Sequence, residues 1–456
     1  MNRVLSGIFC SLVCFAVSGC GSANVLSTEL LAQSEPQSQK PAKVEDADAH
    51  RPTPLADRII LTWTGDPSRT QAVTWRTDTT VQVGLAEIAI AGDNSQFAST
   101  ARQLKAKTTL LESNLSKAHY HSVEFTALTP RTKYAYRVGD GTNWSEWFHF
   151  TTASDRPDPF TFVYFGDAQN DLKSMWSRVI REAQSNAPKA SFFLHAGDLI
   201  NRANSDAEWG EWHRAGGWLN AMIPNVPTPG NHEYAKVGVT LVSTLTTHWK
   251  PQFALPENGP RELIETAYYT DIQGTRIVSL NSNEKYAEQA VWLDQVLASR
   301  DDSIRWTILT FHHPIYSSAK NRDNKELRDT WQPIIDKHRV DLALQGHDHT
   351  YARSGLVNHA NGVAAKGQAG TVYVVSVSGP KMYDVGKPVR MEFQRVAEDT
   401  QLFQIITVDG NELRYEAITA TGQPYDRFVL KKRPGEPNEL IEQVPETPAR
   451  LRPPKP

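Results

Sequence analysis

An α/β domain preceded by a separate all-β sandwich is the architecture this sequence predicts, and three observations predict it. Between residues 54 and 153, short runs of β-branched and aromatic residues are separated by Gly, Asp and Pro turns. From residue 159 the pattern changes to apolar strand runs that alternate with segments of helical spacing. The chain has 456 residues, 39% hydrophobic and 22% charged, which is more than one ordinary domain holds and enough apolar material for two cores.

Residues 1–20 read as an export signal. Arg3 supplies the positive end, and residues 4–17 form a mostly apolar run, shorter than the roughly 20 residues that span a bilayer. Val17-Ser18-Gly19-Cys20 resembles the lipobox of bacterial lipoproteins, in which the cysteine is acylated and becomes the new N-terminus. That resemblance implies an exported protein, anchored to the cell envelope through lipid on Cys20. No aspartate follows Cys20, a pattern that points to the outer membrane or the periplasmic face. Residues 21–53 are polar, rich in Gln, Ser, Glu and Pro, and are expected to form a disordered linker.

The sandwich, residues 54–153, begins with Ile59-Ile60-Leu61-Thr62-Trp63 and Gln71-Ala72-Val73-Thr74-Trp75. Trp75 is its expected core aromatic, and Leu128-Thr129-Pro130 forms a corner that sets up Tyr134. In the α/β part, residues 159–430, apolar strand runs at 160–165, 190–194, 306–310 and 340–344 each lead into a short polar motif. Leu172, Met175, Trp176, Val179 and Ile180 lie at helical spacing, as do Leu327, Trp331, Ile334 and Ile335. Strand patterns return between 371 and 430, and the Pro-, Glu- and Arg-rich residues 431–456 are expected to be a disordered tail.

Composition excludes several functions. With 48 Lys+Arg against 51 Asp+Glu, the formal charge of -3 lacks the basic excess that nucleic-acid binding requires. The three cysteines, Cys10, Cys14 and Cys20, all precede the folded body. That body therefore has no disulfide framework, cysteine zinc site, iron–sulfur cluster or cysteine nucleophile.

The chemistry-bearing residues stand at or just after strand ends: Asp167, Asp198, Asn231, His312 and the pair His347/His349. Ligands at the carboxyl ends of strands converge on one crevice in α/β folds. Two carboxylates, an amide and three imidazoles suit first-row metals better than calcium, and six donors are too many for one tetrahedral ion. A pair of ions sharing a carboxylate accounts for them.

The ordered series FGD, GD, GNHE, HH and GHDH resembles the metallophosphoesterase, or calcineurin-like, superfamily. The preceding sandwich is similar to the fibronectin type III-like module of purple acid phosphatases. The resemblance implies an αββα catalytic sandwich with Asp167 and His349 on a first metal and Asp198 as the bridge. It places Asn231, His312 and His347 on a second metal and makes His232 the residue that steadies phosphate and protonates the leaving oxygen. It implies hydrolysis of phosphate monoesters by attack of a metal-bridging hydroxide. Phosphodiester or nucleotide hydrolysis at the same site is the alternative, and a catalytically weak surface-binding protein is a third. The implied partner is a small phosphorylated substrate, and the oligomeric state is left open.

Two departures concern the first metal. Asn201 stands where purple acid phosphatases carry the tyrosine that ligates ferric ion, and Gln169 stands where other members of the superfamily carry a histidine. Fe, Zn or Mn therefore all remain open, without the purple Fe(III)-tyrosinate type, and either Gln169 or Asn201 is available as a weak amide ligand. Arg322 is either a phosphate partner, through its planar fork, or a solvated loop residue. His313, next to His312, is expected to support the ligands or to pack rather than to bind metal, because adjacent strand residues face opposite sides and only one can face the ions. His195 and His213 are expected to be structural or exposed. Glu233 either orients His232 or opens a helix, and Trp209, Trp212 and Trp218 are expected to pack in the core.

Overall fold

The computed structural model describes residues 42–453, apart from 239–240, 359–361, 364–368, 388–390 and 434. The proposed signal, Cys20 and most of the linker lie outside the described residues. Alternating β-branched and aromatic residues pair into two four-stranded antiparallel sheets. Asp57–Thr62, Gln71–Thr77, Lys117–Phe125 and Lys107–Glu112 form one, and Arg102–Lys105, Leu85–Ile90, Lys133–Gly139 and Phe148–Thr151 the other. Trp75, Phe125, Tyr136 and Val138 fill the space between them. The Tyr134 hydroxyl accepts the Thr129 N–H at 2.9 Å and closes the corner.

The α/β domain is built on two sheets. One has seven strands, with Phe193–His195 between Asn225–Pro227 and Phe160–Phe165, all parallel, and antiparallel strands 402–442 continuing it. The other has eight, with Thr275–Ser279, Trp306–Phe311, Leu342–Gln345 and Thr371–Val375 parallel at its centre. Strand alternation sorts the second sheet's residues to opposite faces. Ile277, Ile308, Leu342, Leu344 and Val374 turn into the core shared with the first sheet. Val278, Leu309, Ala343 and Tyr373 pack instead with Leu293 and Leu297 of helix Tyr286–Ala298 and with Leu327 and Trp331 of helix Lys325–Lys337. Helix Ser177–Asn186 joins the shared core through Val179 and Ile180. The layers are therefore helix, sheet, sheet, helix. No helix among the described residues is long and apolar enough to cross a membrane.

Sandwich and α/β domain belong to one unit from Glu45 onward. Asp206 on helix Asp206–Gly216 holds Arg58 of the sandwich through two oxygens, at 2.7 and 2.9 Å, and the Tyr136 hydroxyl donates to the Ala221 carbonyl at 2.6 Å.

Three expectations are corrected. The linker ends earlier than residue 53: Asp46–Ala49 is helical, and His50 is buried because Gly210 of the α/β domain leaves room for its ring. The tail expected from residue 431 contains strand Glu436–Glu442, which pairs with Pro424–Arg433. Its composition concealed it, because an edge strand is held by backbone pairing. The buried Arg353 also offers Glu442 a charge partner at 2.8 Å. Met175 is exposed rather than on the helix's buried face, because Leu172–Trp176 is a π turn whose extra residue rotates it outward.

Candidate metal centre

The parallel strands of both sheets end at one cleft, and the polar motifs follow those ends directly. Asp167 lies two residues past Phe165, Asp198 three past His195, and Asn231 four past Pro227. His312 follows Phe311, and His347 and His349 lie just past Gln345. The turns are tight. Asp198, His347 and His349 take left-handed backbone angles, with φ of 50°, 75° and 47°, a conformation that non-glycine residues hold only under surrounding constraint. Two glycines permit the approach. A Cβ on Gly197, at φ +89°, would sit 2.7 Å from the His312 Nδ1, and one on Gly346 would sit 2.3 Å from the Asp167 Oδ1.

The result is two groups of ligand atoms with Asp198 in both: Asp198, His312 and His347, and Asp167, Asp198 and His349, the atoms of each within 4.8 Å of one another. Asn231 joins the first group, its Oδ1 lying 3.2 Å from the His312 Nε2. All six residues named from the sequence thus meet in one cleft.

Four of the ligands, Asp167, Asp198, His312 and His349, have one polar atom tied down and the other aimed inward, the outer-shell arrangement that orients metal ligands. The Asp198 Oδ1 accepts the His232 N–H, which leaves Oδ2 for both groups. The Asp167 Oδ1 accepts the His347 N–H at 2.7 Å, and its Oδ2 has no hydrogen-bond partner. His312 donates from Nδ1 to the Ala196 carbonyl and His349 donates from Nδ1 to the Lys381 carbonyl, so that both turn Nε2 towards the shared carboxylates.

The electrostatics fit cations. Burial pushes the Asp167 carboxyl up to about 7. Burial alone would lower His312, but the Asp198 and Asp167 carboxylates lift it to about 10. Burial lowers His349 to about 3 and takes His347 down as well, so both imidazoles are neutral. Two buried carboxylates therefore retain a proton on a neighbouring imidazole, where an ion would supply the positive charge.

The remaining candidates sort by geometry. His232 stands a quarter exposed at the rim, its Nε2 3.9 Å from the Asp198 Oδ2. Its Nδ1 donates to the backbone carbonyl of Asn201, so the residue at the tyrosine position serves through its main chain. Arg322 reaches the cleft: its Nη1 contacts the His347 carbonyl at 3.1 Å and the Asp348 Oδ1 at 3.3 Å, and its guanidinium lies 4.8 Å over the Tyr383 ring.

His313 lies beside the ligands rather than among them. Its ring is 4.3 Å from that of His347, because the strand ends at Phe311 and alternation no longer governs the next residues. The Ser282 hydroxyl accepts the His313 N–H and contacts its Nδ1 at 2.9 Å. Of its two expected roles Glu233 takes the helix-start one: it accepts the Gly230 N–H at the head of the short turn Asn231–Glu233, and no contact ties it to the His232 ring. Its buried carboxylate accepts the N–H groups of Asp198, Leu199 and Gly230 and fastens the second motif to the third. His195 and His213 are buried on Asn225 and Gln252. Trp209 and Trp212 are core, while Trp218 is 59% exposed.

Comparison with known proteins finds matches for both domains. Residues 56–152 match the purple acid phosphatase N-terminal domain, and residues 160–351 match the calcineurin-like phosphoesterase family. A purple acid phosphatase of Glycine max is 28% identical over 272 residues, covering 55% of this chain and 57% of the relative. An uncharacterized protein of Mycobacterium tuberculosis is 28% identical over 354 residues, 68% of this chain and 64% of that one. The matched segment spans less than two thirds of either relative. Among solved structures, a purple acid phosphatase from yellow lupin (Lupinus luteus) seeds shares the fold with a TM-score of 0.68 at 20% identity, over 83% of this chain and 74% of that one. PhoD gives 0.62 at 14% identity, over 88% and 94%.

Proposed function

We propose that this chain, in which a calcineurin-like phosphoesterase domain follows a purple acid phosphatase N-terminal domain, is a dinuclear-metal phosphatase acting on phosphate monoesters. The observation that carries the reading is the pair of ligand groups sharing Asp198. Asp167, Asp198 and His349 would hold one ion, and Asp198, Asn231, His312 and His347 the other. Ions of this kind, when bound, supply a hydroxide nucleophile at neutral pH and neutralise phosphoryl charge.

The chain's own residues do the rest. Glu233 and the His232 N–H hold Asp198 in its strained turn. Arg322 presents a cation at the rim for a phosphate oxygen, steadied by Asp348 and Tyr383. The Asn201 carbonyl keeps the proton on the His232 Nδ1 and leaves Nε2 to carry a second proton to the departing alcohol. The sequence-level reading of an exported protein with lipid on Cys20 stands beside this as part of the proposal.

The test uses p-nitrophenyl phosphate and its bis-ester, with metal-stripped protein re-supplied with Mn, Zn or Fe. Mono-ester turnover that depends on metal, and that Asp198→Ala and His347→Ala reduce to the level of metal-free protein, is the expected result. Preference for the bis-ester would move the reading to a phosphodiesterase, and turnover unaffected by metal removal or by both variants would remove it.

A further inference from the structure

We infer that Gln169 is a seventh ligand of this centre, giving its side-chain carboxamide oxygen to the ion held by Asp167, Asp198 and His349. The inference rests on the two-ion reading above. Gln169 is fully buried, and its Nε2 lies 3.0 Å from the Asp198 Oδ2 and 2.9 Å from the His349 Nε2. Asp198 and His349 are two of the three residues that make up the first ion's group. The amide therefore spends both of its hydrogens on acceptors that a cation would otherwise occupy, the His349 Nε2 being bare because Nδ1 donates to the Lys381 carbonyl.

The other end of the same amide is unsatisfied: Gln169 Oε1 has no hydrogen-bond partner although it is buried, and neither has the Asp167 Oδ2. The N and O of a carboxamide fill nearly the same volume, so a half-turn about the last side-chain bond exchanges them without repacking the cleft. With the oxygen turned towards Asp198 and His349, three acceptors converge, an arrangement that only a cation between them stabilises. Asn201 is not the substitute, because it contributes its backbone carbonyl to His232 instead.

With a neutral amide from Gln169 and no phenolate at Asn201, the charge offered to this ion is low. The site then favours a divalent over a trivalent ion.

The experiment is Mn2+ titration of metal-stripped full-length protein by calorimetry, with electron paramagnetic resonance to count and couple the ions. Wild type is expected to bind two Mn2+ as an exchange-coupled pair. Gln169→Ala should weaken the first-site ion by roughly tenfold to a hundredfold, the range seen when metal-orienting groups are removed. At one equivalent of Mn2+ it should give an uncoupled mononuclear spectrum. Gln169→Glu, of the same shape but anionic, should tighten that ion and keeps the test open should the alanine variant fold poorly. Two coupled ions at wild-type affinity in Gln169→Ala, or no tightening in Gln169→Glu, would overturn the ligand assignment alone. Failure of wild type to take up a second ion would remove the dinuclear centre and this ligand with it.

Discussion

Glu233 offers a stability test whose magnitude follows from the hydrogen bonds of the cleft. It is fully buried, and its two oxygens accept three backbone N–H groups: Asp198 at 2.9 Å, Gly230 at 2.6 Å and Leu199 at 2.8 Å. Glu233→Ala leaves all three donors without an acceptor in a site closed to bulk water. Each orphaned donor costs about 1–3 kcal/mol, and a water entering the vacated volume restores about one of them. The expected loss is about 3–5 kcal/mol. Glu233→Gln keeps one oxygen but turns an NH2 against a backbone N–H, and roughly half that loss is expected.

The effect extends to the ions. Two of the three N–H groups belong to Asp198, which sits at φ 50°, and to Gly230, which precedes Asn231. Releasing them lets the left-handed turn relax and moves the shared carboxylate. Urea unfolding of metal-free protein, followed by tryptophan fluorescence, reads the first effect, and Mn2+ stoichiometry after gel filtration reads the second. A Glu233→Ala variant within about 1 kcal/mol of wild type, still retaining both ions, would refute the argument that this carboxylate builds the site.

Two further outcomes are expected. Asp206→Ala strips the Arg58 and Arg76 guanidinium groups of a carboxylate that is itself buried, so unfolding should be easier by about 3–5 kcal/mol in urea melts. A change under about 1 kcal/mol would mean that water replaces the carboxylate at this domain junction. The second concerns pH. Burial lowers His195 from 6.5 to about 4, and burial with the nearby Arg58 lowers His213 to about 3. Both stay neutral in the fold while the unfolded chain takes up their protons. Their contribution is complete above pH 6.5 and is lost as pH falls towards 4. For His195 it is worth about 3 kcal/mol. His195→Gln, whose amide still reaches Asn225, should therefore lose less stability than wild type between pH 6.5 and 4. Parallel pH profiles would contradict this.

The buried aromatic strands, the tyrosine corner and the alternation of strand with helix were legible because each depends on local periodicity. The strand Glu436–Glu442 was not legible: backbone pairing, the Glu442–Arg353 ion pair and the apolar contact of Leu440 hold it, too little to leave a hydrophobic pattern in the sequence. For His313 the supporting role was legible but its direction was not, since alternation holds only while the strand continues and Phe311 ends it.

In the site, the sequence by itself determined the inventory of donors and their place beside strand ends, because residue type and short-range spacing are properties of the chain. Only the tertiary structure decided which atom of each donor faces the cleft. Asp198 is turned by the N–H of His232, Asp167 by that of His347, and His349 by the carbonyl of Lys381, contacts between residues far apart in sequence. Gln169 shows the same division: its presence is a matter of sequence, but the two ligand atoms around its amide come together only when both sheets have packed.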